Sequence, residues 1–331
     1  MIIVKVPFRL PIGGGGTDLP AYYKKWNCQL ITATIDKYMY ISINKPVAGN
    51  AIKLYYKYNE TVHPSQVDAI KHDIIRESLK LYNIDFPIEI GSMSEIEAGT
   101  GMGSSSAFTV GLLTGLNALN KTYLSPLEIA EQACYVEMIL VGKPIGKQDQ
   151  YATAIGGINQ LNIDKNGYVY VSAVNLDSEI IHEMENRLMM FVTPFTRNAN
   201  DILSEQTNKL SDNGDNEVLE CMHEIRLIGE KIKSSLINGD IDMFGNLLDE
   251  HWRAKKNVSS KMSNNFIDSC YDIAMRNGAL GGKIMGAGGG GLFLFCLKAG
   301  NRRHFKKTME NAGLQNMNFR FEFDGVKILN L

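Results

Sequence analysis

Three alternate glycines and three serines form the heart of Glu97-Ala98-Gly99-Thr100-Gly101-Met102-Gly103-Ser104-Ser105-Ser106-Ala107-Phe108. Glycine strips side chains from a turn, and serines where a helix begins add hydroxyls to its unpaired N–H donors. Such a stretch can close on a phosphate. A tight strand-to-helix connection with a serine cap is the plainer alternative. Two acids follow. Glu137 shares a helical stripe with Ala130, Ala133, Cys134 and Val141, an apolar face on which a carboxylate needs a cation, either a Lys or Arg side chain or a metal ion. Asp149 lies near the start of another helix in Gly146-Lys147-Gln148-Asp149-Gln150-Tyr151, where an acid can act on a ligand or simply complement the helix dipole. Upstream, Arg9 and Asp18 bracket Gly13 to Gly16 in a loop that can lie against a ligand or be merely flexible.

The elements that must position these residues are legible in outline. Ile2-Ile3-Val4 opens a strand that ends in the first glycine loop, and 28–45 and 51–58 alternate as strands of a half-exposed sheet, with Pro46 and Gly49 between them. Ile70, Ile74, Ile75 and Leu79 predict a helix over 67–82, and Ile88 with Ile90 a short strand. The helix that follows the serines, 104–119, is apolar on most sides and belongs in the middle of its domain. Ser125-Pro126-Leu127-Glu128 is a capping box with proline at the first helical position. A polar stretch at 175–187 marks a boundary between domains at 1–180 and 181–331. Beyond it come a strand at 188–192, an amphipathic helix at 217–237 and a helix at 264–276. An apolar strand at 292–297, a helix near 302–312 and strands at 318–323 and 326–329 complete a second α+β unit.

Composition narrows the classes. With 331 residues, 44% hydrophobic and 21% charged, the chain is long enough for two globular domains. A formal charge of -2 argues against a nucleic-acid partner, which needs a concentrated basic surface. Arg302-Arg303-His304 with Lys306-Lys307 reads as a solvated helix face. Five scattered cysteines read as buried thiols in a reducing compartment. Neither a signal peptide nor an apolar run long enough for a membrane is seen, so a cytoplasmic enzyme is expected, without a membrane partner.

Residues 286–291 match G-x-G-x-x-G, but the run Leu292-Phe293-Leu294-Phe295-Cys296-Leu297 after them looks like a strand, where the dinucleotide fingerprint requires a helix. Neither glycine turn carries the lysine of a P-loop. The stretches at 7–18, 97–108 and 283–291, in that order and with Gln148-Asp149-Gln150 between the second and third, resemble the three signature motifs of the GHMP small-molecule kinases. The resemblance spans essentially the whole chain. It implies a two-domain α+β fold, with an N-terminal domain like ribosomal protein S5, a ferredoxin-like C-terminal domain and a nucleotide cleft between them.

Residue by residue, the resemblance implies that Gly99, Gly101, Met102, Gly103, Ser104, Ser105 and Ser106 bind the phosphates of ATP, and that Ser104 or Ser105 holds Mg²⁺ with Glu137. Asp149 would orient or deprotonate the acceptor hydroxyl, and Arg9 would balance charge on the transferred group. Arg9, Gly15, Gly16, Thr17, Asp18 and Asp149 would face the substrate, with Gly288 and Gly289 supporting the loops around it. Gly15-Gly16 stands where galactokinases carry a Glu-His pair that grips the sugar, which implies a larger and less polar pocket there. Gly-Gly-Gly-Gly-Thr-Asp-Leu-Pro and Gly-Lys-Gln-Asp-Gln-Tyr look like the heptose kinase branch, whose acceptor is a sugar already phosphorylated; L-fucose kinases are the alternative. Arg197 or Lys283 would pair with that acceptor phosphate. Two other classes compete: a nicotinamide-dependent oxidoreductase using 286–291, and a non-catalytic binding protein on the same fold.

Overall fold

The computed structural model describes residues 1–195, 199–210, 216–300 and 302–330. The first part of the chain runs β1 (Ile2–Gly13), α1 (Pro20–Trp26), β2 (Cys28–Asn44), β3 (Ile52–Tyr55), β4 (Asn59–Val62), α2 (Asp73–Leu81), β5 (Ile88–Ser94) and α3 (Ser104–Leu119). It continues through α4 (Pro126–Cys134), α5 (Gln148–Ile155), β6 (Asn159–Ile163), β7 (Val169–Ala173), α6 (Ser178–Arg187) and β8 (Leu188–Val192). The remainder is α7 (Ala199–Lys209), α8 (Asn216–Ile237), α9 (Ile241–Val258), α10 (Asn265–Arg276), β9 (Ala279–Ile284), β10 (Leu292–Leu297), α11 (Arg302–Asn311), β11 (Gln315–Met317), β12 (Phe321–Glu322) and β13 (Lys327–Asn330).

Two sheets carry the architecture, which is α+β as expected. The larger runs β13-β1-β2-β5-β3-β4, with β12 and β6 also paired to β2 and β7 to β6. Its pairings are antiparallel except β3 with β5. Helix α3, buried along most of its length, lies across β1 and β2. Gly111 and Gly115 permit this approach: a methyl group at Gly111 would stand 2.8 Å from the Ile41 side chain, and at Gly115 2.6 Å from that of Ile43. The smaller sheet, β11-β8-β10-β9, is antiparallel throughout. Its central strands are buried on both faces, which is why β10 reads as an unbroken apolar run. Leu292, Leu294 and Cys296 face the main core, which continues into the first sheet, while Phe293, Phe295 and Leu297 face a second core against α10 and α11.

Three expectations change. The helix expected over 67–82 is a 3₁₀ turn, Pro64–Ala69, followed by α2, because Ile70 is extended and His72 caps a fresh start at Asp73. The polar stretch at 175–187 contains α6, whose exposed side is polar while Met184 and Arg187 turn inward; Arg187 donates to the Leu297 carbonyl and to Asp242. The strands expected at 318–323 and 326–329 do not complete the second unit. They return to the first sheet, where β12 pairs with β2 and β13 with β1.

Candidate active site

The glycine-serine turn adopts the backbone its composition demands. Gly99, Gly101 and Gly103 have φ of 84°, 85° and 72°, a region that other residues avoid. Helix α3 then starts at Ser104 with no side chain capping it, so its first N–H groups point outward from a bare glycine turn, the geometry of an anion site. The third glycine run supports this turn from behind. A methyl group at Gly101 would lie 2.5 Å from the Met285 carbonyl oxygen, one at Gly291 2.3 Å from that of Thr100, and the Leu292 N–H donates to Thr100. The run leads into strand β10 rather than a helix, so it is no dinucleotide fingerprint.

Arg9, near the middle of β1 and 5% exposed, holds the acid at the start of α5. Its Nε donates to Asp149 Oδ1 at 2.6 Å and its Nη2 to Oδ2 at 2.7 Å, while Nη1 donates to the Gly101 carbonyl. One guanidinium thus ties the acid to the glycine-serine turn, gripping the carboxylate in a two-pronged geometry that lysine cannot reproduce. Asp18 fixes the same helix from the other side, accepting from the N–H of Gln148 and of Gly16. Burial pushes the Asp18 carboxyl above its ordinary range against these hydrogen bonds.

Glu137 is fully buried, on a single π-helical turn, Tyr135–Leu140, that follows α4. Wide turns of this kind often mark functional sites. Ser105 Oγ donates to its Oε2 at 2.8 Å, and Lys143 Nζ lies 3.6 Å from the same oxygen while donating to Ser105 Oγ. The lysine alternative is therefore present. Burial raises the Glu137 carboxyl above its ordinary range, with Lys143 and Ser105 opposing. Ser104 Oγ is buried without a hydrogen-bond partner. Two serine hydroxyls and a carboxylate are hard oxygen donors, and this set fits Mg²⁺ that keeps waters and phosphate oxygens as its other ligands. Among the described residues no group of three His, Cys, Asp or Glu side chains could hold a metal.

Arg9, Gly101, Gly103, Ser104, Ser105, Ser106, Glu137 and Asp149 line one cavity of about 330 Å³, together with Gly99, Gly15, Gly16, Asp18 and Lys283. Beside Gly15 and Gly16 lie Gln148, Gln206 and Met222, and Leu203 and Ile225 line the same cavity. Four expected residues stand apart from the cavity. Thr17 is fully buried and turns its hydroxyl to the Gly14 carbonyl and to Cys28. The Met102 side chain belongs to the main core. Gly288 and Gly289 lie against Met262, whose carbonyl accepts from the Gly289 N–H. Arg197 falls outside the described residues. Lys143, His251 and Lys255 line the cavity as well and have no motif to announce them.

Of the cysteines, Cys28, Cys134, Cys270 and Cys296 are buried and Cys221 is half-buried. Among the described residues, no helix is long and apolar enough to cross a membrane.

Comparison with known proteins accounts for this arrangement. Residues 68–157 match the model of the GHMP kinases N terminal domain, and 232–313 that of the GHMP kinases C terminal. The chain is 30% identical to the D-glycero-alpha-D-manno-heptose 7-phosphate kinase of Campylobacter jejuni over 98% of both sequences. It is 26% identical to the galactokinase of Pyrococcus furiosus, covering 88% of this chain and 87% of that one. The crystal structure of a D-glycero-D-manno-heptose 1-phosphate kinase from Bacteroides thetaiotaomicron superposes with a TM-score of 0.80 at 23% identity, covering 100% and 99% of the two chains. The protein is thus a phosphotransferase with an alcohol acceptor, and the chain belongs to the GHMP kinase family.

Proposed function

We propose that the protein transfers the γ-phosphoryl group of ATP to the anomeric hydroxyl of D-glycero-D-manno-heptose 7-phosphate, giving the 1,7-bisphosphate for nucleotide-activated heptose synthesis in the cytoplasm. The carrying observation is the Arg9 clamp, which fixes the Asp149 carboxylate against the phosphate loop with both oxygens held. The sugar assignment rests on 30% identity along 98% of the chain to a heptose 7-phosphate kinase. Residues 1–180 and 181–331 are the two units of this kinase, the second lending its last strands to the sheet of the first.

Phosphoryl transfer asks a protein for alignment and charge neutralisation rather than covalent chemistry. The N–H groups at the start of α3 hold the donor phosphates. Asp149 aligns the acceptor hydroxyl and takes its proton as the new O–P bond forms and the bond to the β-phosphate oxygen breaks. Arg9 keeps the acid in place and offsets charge on the transferred group. Bound Mg²⁺, held by Ser104 or Ser105 with Glu137, supplies charge neutralisation of the phosphates.

Magnesium-dependent ADP release across a panel of sugars and sugar phosphates tests the assignment. Heptose 7-phosphate should have the highest kcat/KM, exceeding the unphosphorylated heptose by about 10- to 150-fold, the worth of a charge-assisted contact of about 1.5 to 3 kcal/mol. Preference for L-fucose would move the protein to the fucose kinase branch, and NAD(H) binding without ATP turnover would revive an oxidoreductase.

A further inference from the structure

The cavity has a basic wall that phosphoryl transfer does not employ. His251, from α9, is 1% exposed and borders the cavity, yet neither Nδ1 nor Nε2 has a hydrogen-bond partner. Lys283, from β9, is 2% exposed and uses one donor on the Ile12 carbonyl at 2.7 Å. Lys255, one helical turn beyond His251, donates to the carbonyls of Ile284 and Gly286. The charges that act on His251 are Lys283 and Lys255, and those on Lys283 are Lys255 and Arg9. Burial first, and these neighbours second, push both groups well below their ordinary protonation range.

The acids of the cavity are engaged elsewhere. Asp149 is clamped by Arg9, Glu137 faces Ser105 and Lys143, and Asp18 accepts from two backbone N–H groups. Idle imidazole nitrogens beside one buried and one half-buried amine make a place for an anion, because an adjacent negative charge favours the protonated form of all three. A phosphate monoester matches them, since its oxygens accept from amines and imidazole alike. The end of the cavity beside Gly15 and Gly16 suits that group less, for among the described residues a methyl group at either glycine would meet Gln148, Pro11, Gln206 and Met222 and no basic side chain within 4 Å. The donor phosphates already have the glycine-serine turn.

We propose that His251, Lys255 and Lys283 form the seat for the phosphate the acceptor already carries, so that the sugar spans from Asp149, where its hydroxyl reacts, to α9, where its phosphate is held. This rests on the sugar-phosphate reading of the acceptor. It makes α9 the element that distinguishes phosphorylated from free sugars.

The test compares kcat/KM for heptose 7-phosphate with that for unphosphorylated heptose, in the full chain and in His251→Gln and Lys255→Gln, with the ATP KM and the melting temperature of each. The ratio of the two kcat/KM values should fall at least tenfold in each variant, through KM for the phosphorylated sugar. Lys255 is half-buried, so its variant serves if His251→Gln does not fold. A ratio within threefold of wild type in a folded variant overturns the proposal and leaves the heptose 7-phosphate assignment standing. Equal losses for both sugars also overturn it and give the cluster to the transferred phosphoryl group or to loop support, the latter with a raised ATP KM. No preference for the phosphorylated sugar in the wild type removes the assignment and the proposal together.

Discussion

The Asp149 carboxylate rests on the bare Cα of Gly103: a methyl group built there would lie 2.8 Å from Oδ2 and 3.2 Å from the acid's Cβ. The acid and the glycine-serine turn are separated by the thickness of one missing side chain.

Gly103→Ala should therefore be damaging twice over, through the contact and through a φ of 72° that alanine resists. Displacing the loop from the acid by about 1 Å should lower kcat by about a hundredfold. Steady-state kinetics with a melting curve checks this; a folded variant with wild-type kcat would show that the close approach is irrelevant to turnover.

Asp149→Asn should retain ATP binding, measured by isothermal titration, and lower kcat by about two to four orders of magnitude, the usual worth of a positioned acid-base group. A variant keeping more than about a tenth of wild-type turnover would remove Asp149 from the mechanism.

Glu137→Gln separates the metal from the ion pair. If the carboxylate serves Mg²⁺, the variant should need about tenfold more magnesium or beyond for half-maximal rate, and its folding should not suffer, because a buried carboxylate disfavoured by desolvation is replaced by a neutral amide. Unfolding of the variant would assign Glu137 to Lys143 as a structural partner.

His251 also predicts a pH effect on stability. Its protonation is pushed well below the ordinary 6.5 by burial, Lys283 and Lys255, so below pH 6.5 the unfolded chain binds a proton that the folded chain refuses. Stability present above 6.5 is then lost as pH falls, by up to about 1.4 kcal/mol per pH unit from this group alone. His72 and His223 are shifted in the same direction, so the difference between wild type and His251→Gln in denaturant unfolding from about pH 5 to 7 isolates the contribution. Identical slopes would mean that His251 is not held neutral in the fold.

The parts of the site that announce themselves in sequence do so because one residue type is the only economical answer to a local demand. Alternate glycines at 99, 101 and 103 make sense as three positive φ values, and Glu137 on an apolar stripe has to find a cation. His251 and Lys255 make no such statement. They sit in α9 among ordinary polar residues, and become part of the site only because α9 packs on β9, some thirty residues further along. The same limit applies to Thr17, whose position in a glycine loop suggests a ligand contact while its hydroxyl answers to Cys28 and Gly14. Alternation marks Phe321 and Lys327 as strand residues without naming their partners, Ile35 and Lys5.

Those last pairings bear on how the protein is made. β1 lies more than three hundred residues ahead of β13 in the chain, yet β13 is the neighbour on its outer edge, so Ile3 waits for Asn330 until the intervening residues are synthesised. Until then an apolar strand has an open edge, the kind of surface on which nascent chains pair wrongly with one another. Contacts this distant in sequence slow the closing steps of folding. Residues 321–330 thus act as a closing clasp, and a translation product that stops short of them would carry the lining of the cavity beside a sheet left unsealed.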